Sequence, residues 1–242
     1  MKFIKKILEI FFPSHCLSCA EIISKDALFC SHCWPKLQFI TDPKCKICSY
    51  PFEVEITHMQ PLCANCLVKT PSYDKVITLF GYNKIIKKVI GDFKYRDQSF
   101  LAKKFAKILF DKFKKEIAGC DLIVAVPLHP NRLKTRKFNQ AVLLAKNLVK
   151  FLPESKFHPD LLFRIKDTAP QVNLKKEERK KNLKRGFLIN QKYRDLVRDK
   201  KVLLIDDVMT TGATLENCAK ELKRRKAKEV VVLVIAKTVF FN

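Results

Sequence analysis

Val202-Leu203-Leu204-Ile205-Asp206-Asp207-Val208-Met209-Thr210-Thr211-Gly212-Ala213-Thr214-Leu215 is the stretch on which the reading of this chain turns. An apolar run ends in two adjacent carboxylates, a small hydroxyl-rich loop follows, and then a helix begins. Thr210, Thr211, Gly212, Ala213 and Thr214 present successive backbone N–H groups at that helix start. With the threonine hydroxyls and the positive end of the helix dipole, they make a pocket for a phosphate monoester. Gly212 allows the turn and the close approach of an oxygen. Asp206 and Asp207, one short step away, accept hydrogen bonds from a sugar diol or hold a hydrated Mg²⁺. A carboxylate pair beside a phosphate cradle makes sense for a ribose phosphate. Three other readings explain less. The strand and its acids resemble a Walker B strand, but no Gly-x-x-x-x-Gly-Lys-Ser/Thr occurs. A response-regulator acid pocket needs its carboxylates near the start of the domain. A structural cap uses Thr214 alone and leaves the acids and the rest of the loop unexplained.

Outward from this stretch, strands and helices alternate. Val76–Tyr82, Asp121–Val126, Lys201–Ile205 and Glu229–Ala236 read as strands, and Phe100–Lys115, Lys134–Leu152 and Thr214–Arg225 as helices with apolar residues at helical period. The alternation predicts an α/β domain with a mainly parallel sheet, whose ligands sit beyond the carboxyl ends of the strands. Arg164–Lys201 stands apart, with fourteen basic and five acidic residues. It reads as a solvated face or, because it precedes the candidate pocket, as a mobile lid.

The front of the chain is built differently. Eight of its ten cysteines fall in the first 66 residues as four Cys-x-x-Cys pairs: Cys16/Cys19, Cys30/Cys33, Cys45/Cys48 and Cys63/Cys66. Each pair aims two thiolates at one point, and two facing pairs give the tetrahedral sulfur set that suits Zn²⁺. The simplest arrangement is two zinc ribbons in series, one from Cys16, Cys19, Cys30 and Cys33, the other from Cys45, Cys48, Cys63 and Cys66. The spacing also permits a cross-braced pairing. Disulfides need an oxidising compartment, and a redox role does not explain four pairs in regular order. Four thiolates per metal leave no open position, so both sites read as structural, and the metal supplies folding energy that so small a segment lacks. His15, His32 and His58 are spare in this scheme. Cys120 and Cys218 read as buried core thiols without chemistry.

Composition sets the frame. In 242 residues, 48% apolar, 48 Lys and Arg face 24 Asp and Glu, a formal +24. That excludes a disordered or fibrous chain and points to a polyanionic partner or substrate. Residues 1–70 hold eight lysines and six acids, whereas the other 172 hold 40 basic and 18 acidic side chains. The basic surface therefore belongs to the second part, and the boundary falls near Lys69-Thr70-Pro71-Ser72, giving ribbons over 1–70 and an α/β domain over 71–242. No apolar run is long enough to span a bilayer, and the first twelve residues carry Lys2, Lys5 and Lys6 with no cleavage pattern, so a cytoplasmic location is expected. Phe3, Ile4, Ile7, Leu8 and Phe11 make an amphipathic start that reads first as a short packing helix and second as one that touches a membrane. Tyr82, Phe93 and Tyr95 among Lys84, Lys87, Lys88, Lys94 and Arg96 suit stacking of single-stranded bases, against the stronger reading that Phe93 and Tyr82 are simply core.

These residues resemble a known family. Val202–Leu215 is similar to the phosphoribosyl diphosphate (PRPP) signature of type I phosphoribosyltransferases. Val126-Pro127-Leu128-His129, Arg132 and Arg136-Lys137-Phe138-Asn139-Gln140 resemble the ComF competence family, as do Thr168, Gln171, Leu174, Arg179, Asn182 and Phe187 and the double ribbon, including Pro51 after Cys48. Lys137 and Ser49 depart from the family's usual glycines and leave two local turns open. The resemblance implies a type I phosphoribosyltransferase fold that binds PRPP with Mg²⁺. Asp206 and Asp207 would meet the ribose hydroxyls, Thr210–Thr214 the 5′-phosphate and Pro127, Leu128 and His129 the pyrophosphate side, with the basic segment after Arg164 as a closing loop. In a transferase, Asp206 and Asp207 serve an oxocarbenium-like transition state through positioning and charge, with Lys94 and Arg136 as helpers. The resemblance further implies a role in natural transformation, with incoming single-stranded DNA and DNA-uptake proteins as partners. Two functions stand side by side: a PRPP-binding protein that handles single-stranded DNA, and an active phosphoribosyltransferase on a small acceptor unrelated to DNA. The oligomeric state is left open.

Overall fold

The computed structural model describes residues 13–24, 27–53, 61–95, 99–128, 138–165 and 186–239. In chain order the elements are β1 (Ser14–His15), β2 (Ile22–Ile23), α1 (Ala64–Val68), β3 (Lys75–Gly81), α2 (Lys84–Tyr95), α3 (Phe100–Ile117), β4 (Leu122–Ala125), α4 (Gln140–Leu148), β5 (Lys156–Phe157), β6 (Leu162–Arg164), β7 (Phe187–Ile189), β8 (Lys201–Met209), α5 (Ala213–Arg224) and β9 (Glu229–Lys237). Five strands form one parallel sheet in the order β3-β9-β8-β4-β5. Its strands are apolar on both faces because both are covered. Leu79, Ile123, Leu203, Leu233 and Ile235 pack with α2, α3 and α4, while Val76, Val124, Leu204 and Val232 pack with α5 and the β6–β7 pair.

The expected strands and helices form, with three differences at their ends. Strand β8 runs on past Ile205 to Met209, because β9 is equally long and offers Val234, Ala236 and Lys237 as partners to Asp206, Val208 and Met209. The helix expected over Lys134–Leu152 starts at Gln140. Asn139 is extended (φ −90°, ψ 115°) and accepts from the N–H groups of Ala141 and Val142, a side-chain cap that fixes the first turn. The last expected turn is a 3₁₀ turn at Val149–Phe151. Helix α2 is an addition to the expected elements: Ile86, Val89, Ile90 and Phe93 recur at helical period and are all buried. Phe93 is fully buried and Tyr82 packs against the core, so of the proposed stacking aromatics Tyr95 alone is exposed. That basic patch is therefore not an aromatic surface. Arg96 lies outside the described residues, as do Phe3, Ile4, Ile7, Leu8 and Phe11.

The basic segment has a defined base. β6 and β7 pair antiparallel, Leu162 with Ile189 and Arg164 with Phe187, and Gly186 (φ 69°) leads into β7. Residues 166–185, including Thr168, Gln171, Leu174, Arg179 and Asn182, lie outside the described residues, and with them most of the expected lid.

The cysteine-rich front packs on the open side of β3 rather than standing off it. Phe39 bridges to Phe80, the Ile40 N–H donates to Leu79 O at 3.1 Å, and the Gly81 N–H donates to Gln38 O at 2.7 Å. These bonds cap an edge strand that would otherwise expose unpaired backbone. Leu28, Phe29 and Leu37 join the same apolar core as Leu79 and Phe80. Among the described residues, no helix is long and apolar enough to cross a membrane.

Candidate functional site

The sheet order dictates where the predicted pocket residues meet. β4 pairs with β8 only as far as Ala125 and Ile205. The Val126 N–H still donates to Ile205 O (2.9 Å), and then the two chains part. Asp206 is thus the first β8 residue beyond its β4 neighbour, and Pro127 and Leu128 leave the sheet beside it. Such a gap at the carboxyl edge of a parallel sheet is where open α/β folds take ligands. Thr210 to Thr214 close the other side. Gly212 adopts φ 77°, ψ −2°, and a Cβ there would stand 2.7 Å from Met209 Cε. Gly212 is buried, while Thr210, Thr211, Ala213 and Thr214 face solvent. Glycine at the helix cap has no side chain to satisfy the first N–H groups of α5. Thr211 Oγ1 accepts weakly from the Ala213 N–H at 3.4 Å.

Neighbouring strand residues point to opposite faces, and the two acids follow that rule. Asp207 faces α2 and is buried, with Lys94 Nζ 2.9 Å from its Oδ1. Asp206 faces α5, where burial and then the Asp206 charge push the Cys218 thiol well above its ordinary range. Asp206 Oδ1 also accepts the Asp207 N–H at 2.8 Å, which fixes its rotamer. Cys218 and Cys120 are both buried, as the sequence reading expects.

The Phe138-Asn139-Gln140 block works as a brace. Asn139 Nδ2 donates to Val126 O at 3.0 Å and so holds the turn that carries Pro127 and Leu128. Gln140 is 1% exposed, and its Nε2 donates to Phe93 O (3.5 Å) and Lys94 O (3.4 Å), tethering the end of α2 from which Lys94 reaches Asp207. Sequence reading places Lys94 near the site as a helper but gives Gln140 no task, because a tether to a backbone carbonyl leaves no pattern in sequence. Glu216 escapes it for the same reason. It accepts from the Ser72 N–H (2.8 Å) and Ser72 Oγ (3.0 Å), pinning the segment after the ribbons to the first turn of α5. His129, Arg132, Arg136 and Lys137 lie outside the described residues.

The cysteines gather as the series arrangement predicts. The Sγ atoms of Cys16, Cys19, Cys30 and Cys33 lie within 4.8 Å of one another, and so do those of Cys45, Cys48, Cys63 and Cys66. Cross-bracing is thereby excluded. All ten cysteines are free thiols. Across each cluster, Cys19–Cys30 and Cys48–Cys63 stand 3.6 and 3.5 Å apart, close to the edge of about 3.8 Å of a tetrahedron with Zn–S bonds of about 2.3 Å. Burial raises the Cys16 thiol, but N–H groups of Cys19, Cys30 and Ser18 outweigh it and bring it down to about 6. Cys45 comes down to about 7 by the same opposition of burial and the N–H groups of Cys48, Cys63 and Ile47. Cys19, Cys30, Cys48 and Cys66 are raised instead, the last two by burial first, so it is the gathered sulfurs that point to a cation. His15 Nδ1 is engaged with Ala20 O and His32 Nε2 with Lys36 Nζ, so neither serves the clusters, and His58 lies outside the described residues. Ser49, where a glycine is usual, takes a left-handed φ of 56° and offsets it by donating from Oγ to Val76 O at 2.5 Å.

A five-stranded parallel sheet flanked by helices, with an acid pair and a glycine-led helix start at its carboxyl edge, is a type I phosphoribosyltransferase fold, here carrying a double zinc ribbon in front. Family models agree on both parts: a double zinc ribbon domain matches residues 7–67 and a phosphoribosyl transferase domain residues 151–238. Competence protein F of Haemophilus influenzae is 29% identical over 234 residues, 94% of this chain and 98% of the relative. Competence protein ComFC of Bacillus subtilis is 30% identical over 89% of this chain and 91% of its own length, and the DNA utilization protein YhgH of Escherichia coli K12 is 30% identical over 80% and 84%. The chain belongs to the ComF family of competence proteins.

Proposed function

We propose that this protein binds PRPP with Mg²⁺ at the carboxyl edge of β8 and handles single-stranded DNA during uptake, on a scaffold held by two structural zinc ions. The single observation that carries the reading is the junction of Asp206 and Asp207 with the Gly212-led start of α5, across a gap from Pro127 and Leu128. Asp206 takes the ribose hydroxyls or the hydrated metal, because its carboxylate lies on the sheet face of the phosphate loop. Asp207 exchanges part of its Lys94 contact for the second hydroxyl, and Lys94, already desolvated beside it, supplies positive charge for the pyrophosphate. Thr210–Thr214 hold the 5′-phosphate. Pro127 and Leu128 line the pyrophosphate side, and His129, next in sequence, is assigned to the same role. Mg²⁺ supplies charge neutralisation for the diphosphate when it is bound. The domain division near residue 70 and a cytoplasmic location belong to the same proposal.

The relatives' names, two for competence and one for DNA utilization, support the link to DNA. The net charge of +24 supports a polyanionic partner. The alternative, transfer of phosphoribose to a small acceptor, draws on the intact acid pair. Equilibrium dialysis against labelled PRPP and Mg²⁺ tests the site: retention is expected, and no retention refutes the assignment. Adding an acceptor mixture then separates the two functions, since pyrophosphate release marks a transferase and retention without release marks a ligand-holding module.

A further inference from the structure

An exposed aromatic surface lies on the first ribbon. Trp34, directly after Cys33, is 54% exposed. Its ring stacks at a tilt on Phe39 (centroids 5.0 Å), and Phe39 stacks on Phe80 (5.1 Å), which meets Phe29 edge-on (6.3 Å). These rings, with Leu28, Leu79 and Ile108, line a pocket of about 320 Å³ that opens to solvent. Helix α3 forms one wall and brings cations to both rims. Lys104, Ile108 and Lys112 lie on one helix face at i, i+4 and i+8, a span of about 12 Å along the axis. Lys104 Nζ reaches Ala27 O (3.1 Å) at one rim, and Lys112 Nζ sits 5.0 Å over the Phe39 ring at the other. Burial against the rings, and then the Lys44 charge nearby, lower the Lys112 ammonium below its ordinary range. An apolar slot for a flat ring between two ammonium groups is complementary to one strand's base and flanking phosphates.

We propose that the Trp34–Phe39 platform is the surface on which this protein stacks unpaired bases of single-stranded DNA, with Lys104 and Lys112 on the adjoining phosphates. This deepens the DNA part of the proposed function and rests on it. A protein side chain would fill the slot equally well by shape, but it gives no role to paired lysines at the rims, so the strand is favoured.

Trp34 is the only tryptophan of the chain, so the surface carries its own fluorescent probe. Titration with oligothymidylate is followed by tryptophan fluorescence and, in parallel, by anisotropy of an end-labelled strand. The expected result is saturable quenching at the same midpoint as the anisotropy. Trp34→Leu weakens binding by about 5- to 150-fold, the effect of losing one stacked base. Lys112→Gln lowers the slope of log affinity against log salt by about 1. Both variants keep PRPP affinity and zinc content. Anisotropy that reports binding while the fluorescence stays flat, or a Trp34→Leu chain of unchanged affinity, overturns the platform and leaves the DNA role standing. So does a Trp34-dependent self-association with no change in strand affinity. No strand binding by the wild type overturns both.

Discussion

The two ribbons share one backbone and use it for different ends. In each, the first cysteine's N–H donates to the carbonyl five residues on (Cys16 to Glu21, Cys45 to Tyr50, both 2.7 Å). In each, the residue after the second cysteine takes a left-handed φ, Ala20 at 64° and Ser49 at 56°. The residue before the first cysteine pairs with the one seven positions on, His15 with Ile22 and Lys44 with Pro51. What differs is how each is attached. Cys16, Cys30 and Cys33 belong to the main apolar core along with Leu28, Phe29 and Leu37, whereas Cys45, Cys48 and Cys66 form a small cluster of their own. Polar bonds hold that second cluster: Val76 N–H to Ile47 O (2.6 Å), Ser49 Oγ to Val76 O, and the buried Lys237, whose Nζ donates to Cys48 O at 2.5 Å. Similar metal folds are thus joined to one sheet by apolar burial in one case and by hydrogen bonds and an ammonium in the other. The first is left with an aromatic outer face, the second with a charge link to the end of β9.

The comparison breaks first at the metals. A structural zinc contributes about 10–16 kcal/mol to a small ribbon, as much as a whole domain's stability. Cys30→Ser with Cys33→Ser opens the main core, and the expected result is loss of a folded, soluble chain. Cys63→Ser with Cys66→Ser leaves a folded chain that holds one zinc in place of two, measured by metal analysis and thermal melting. Equal outcomes for the two pairs would erase the distinction. Lys237→Met separates the ribbons more gently. It removes a neighbour of the second metal site, and zinc there is expected to bind about 10- to 100-fold more weakly with the first site unchanged, read by chelator competition.

Gly212→Ala touches neither ribbon. At φ 77° the alanine costs about 1–2 kcal/mol and lowers Tm by roughly 2–8 °C, while the Met209 methyl, the end of a flexible chain, moves aside. PRPP affinity falls and both zinc ions stay. The smallest effect is at the joint behind the second ribbon. Burial pushes the Glu216 carboxyl up, but the Ser72 N–H, Lys220 and the Ser72 hydroxyl outweigh it and hold it below the ordinary range. A lowered carboxyl stabilises the fold at pH above its unfolded value, and that stabilisation disappears as pH falls through the folded value. Glu216→Gln therefore melts lower than the wild type at neutral pH, and the gap closes on acidification below about 4.3.

Periodicity and spacing make much of this readable in advance. Val202–Leu215 announces the strand end and helix start of the candidate site because they are local: strand, acids, loop and helix start are consecutive. The cysteine pairs announce the clusters for the same reason, and the structure chooses series pairing because each knuckle closes on its own chain. Illegible features depend on partners far apart in sequence. Gln140 braces the carbonyls of Phe93 and Lys94, Ser72 is held by Glu216, and Lys237 answers Cys48 across 189 positions. Phe93 shows how phase decides between two readings: Lys88 and Lys94 nearby suggest a surface, but its helical phase with Ile86, Val89 and Ile90 carries it into the core. Trp34 gives no sign of its role because Phe39, Phe80 and Lys112 are assembled around it only by the packing of ribbon, strand and helix.

Calorimetric titration of PRPP with Mg²⁺ into the wild type and the Asp206→Asn/Asp207→Asn chain, each with its zinc counted, tests the pocket most directly. The account predicts saturable heat in the wild type, none in the double variant, and two zinc ions per chain in both. Equal PRPP affinity in the two proteins would contradict it.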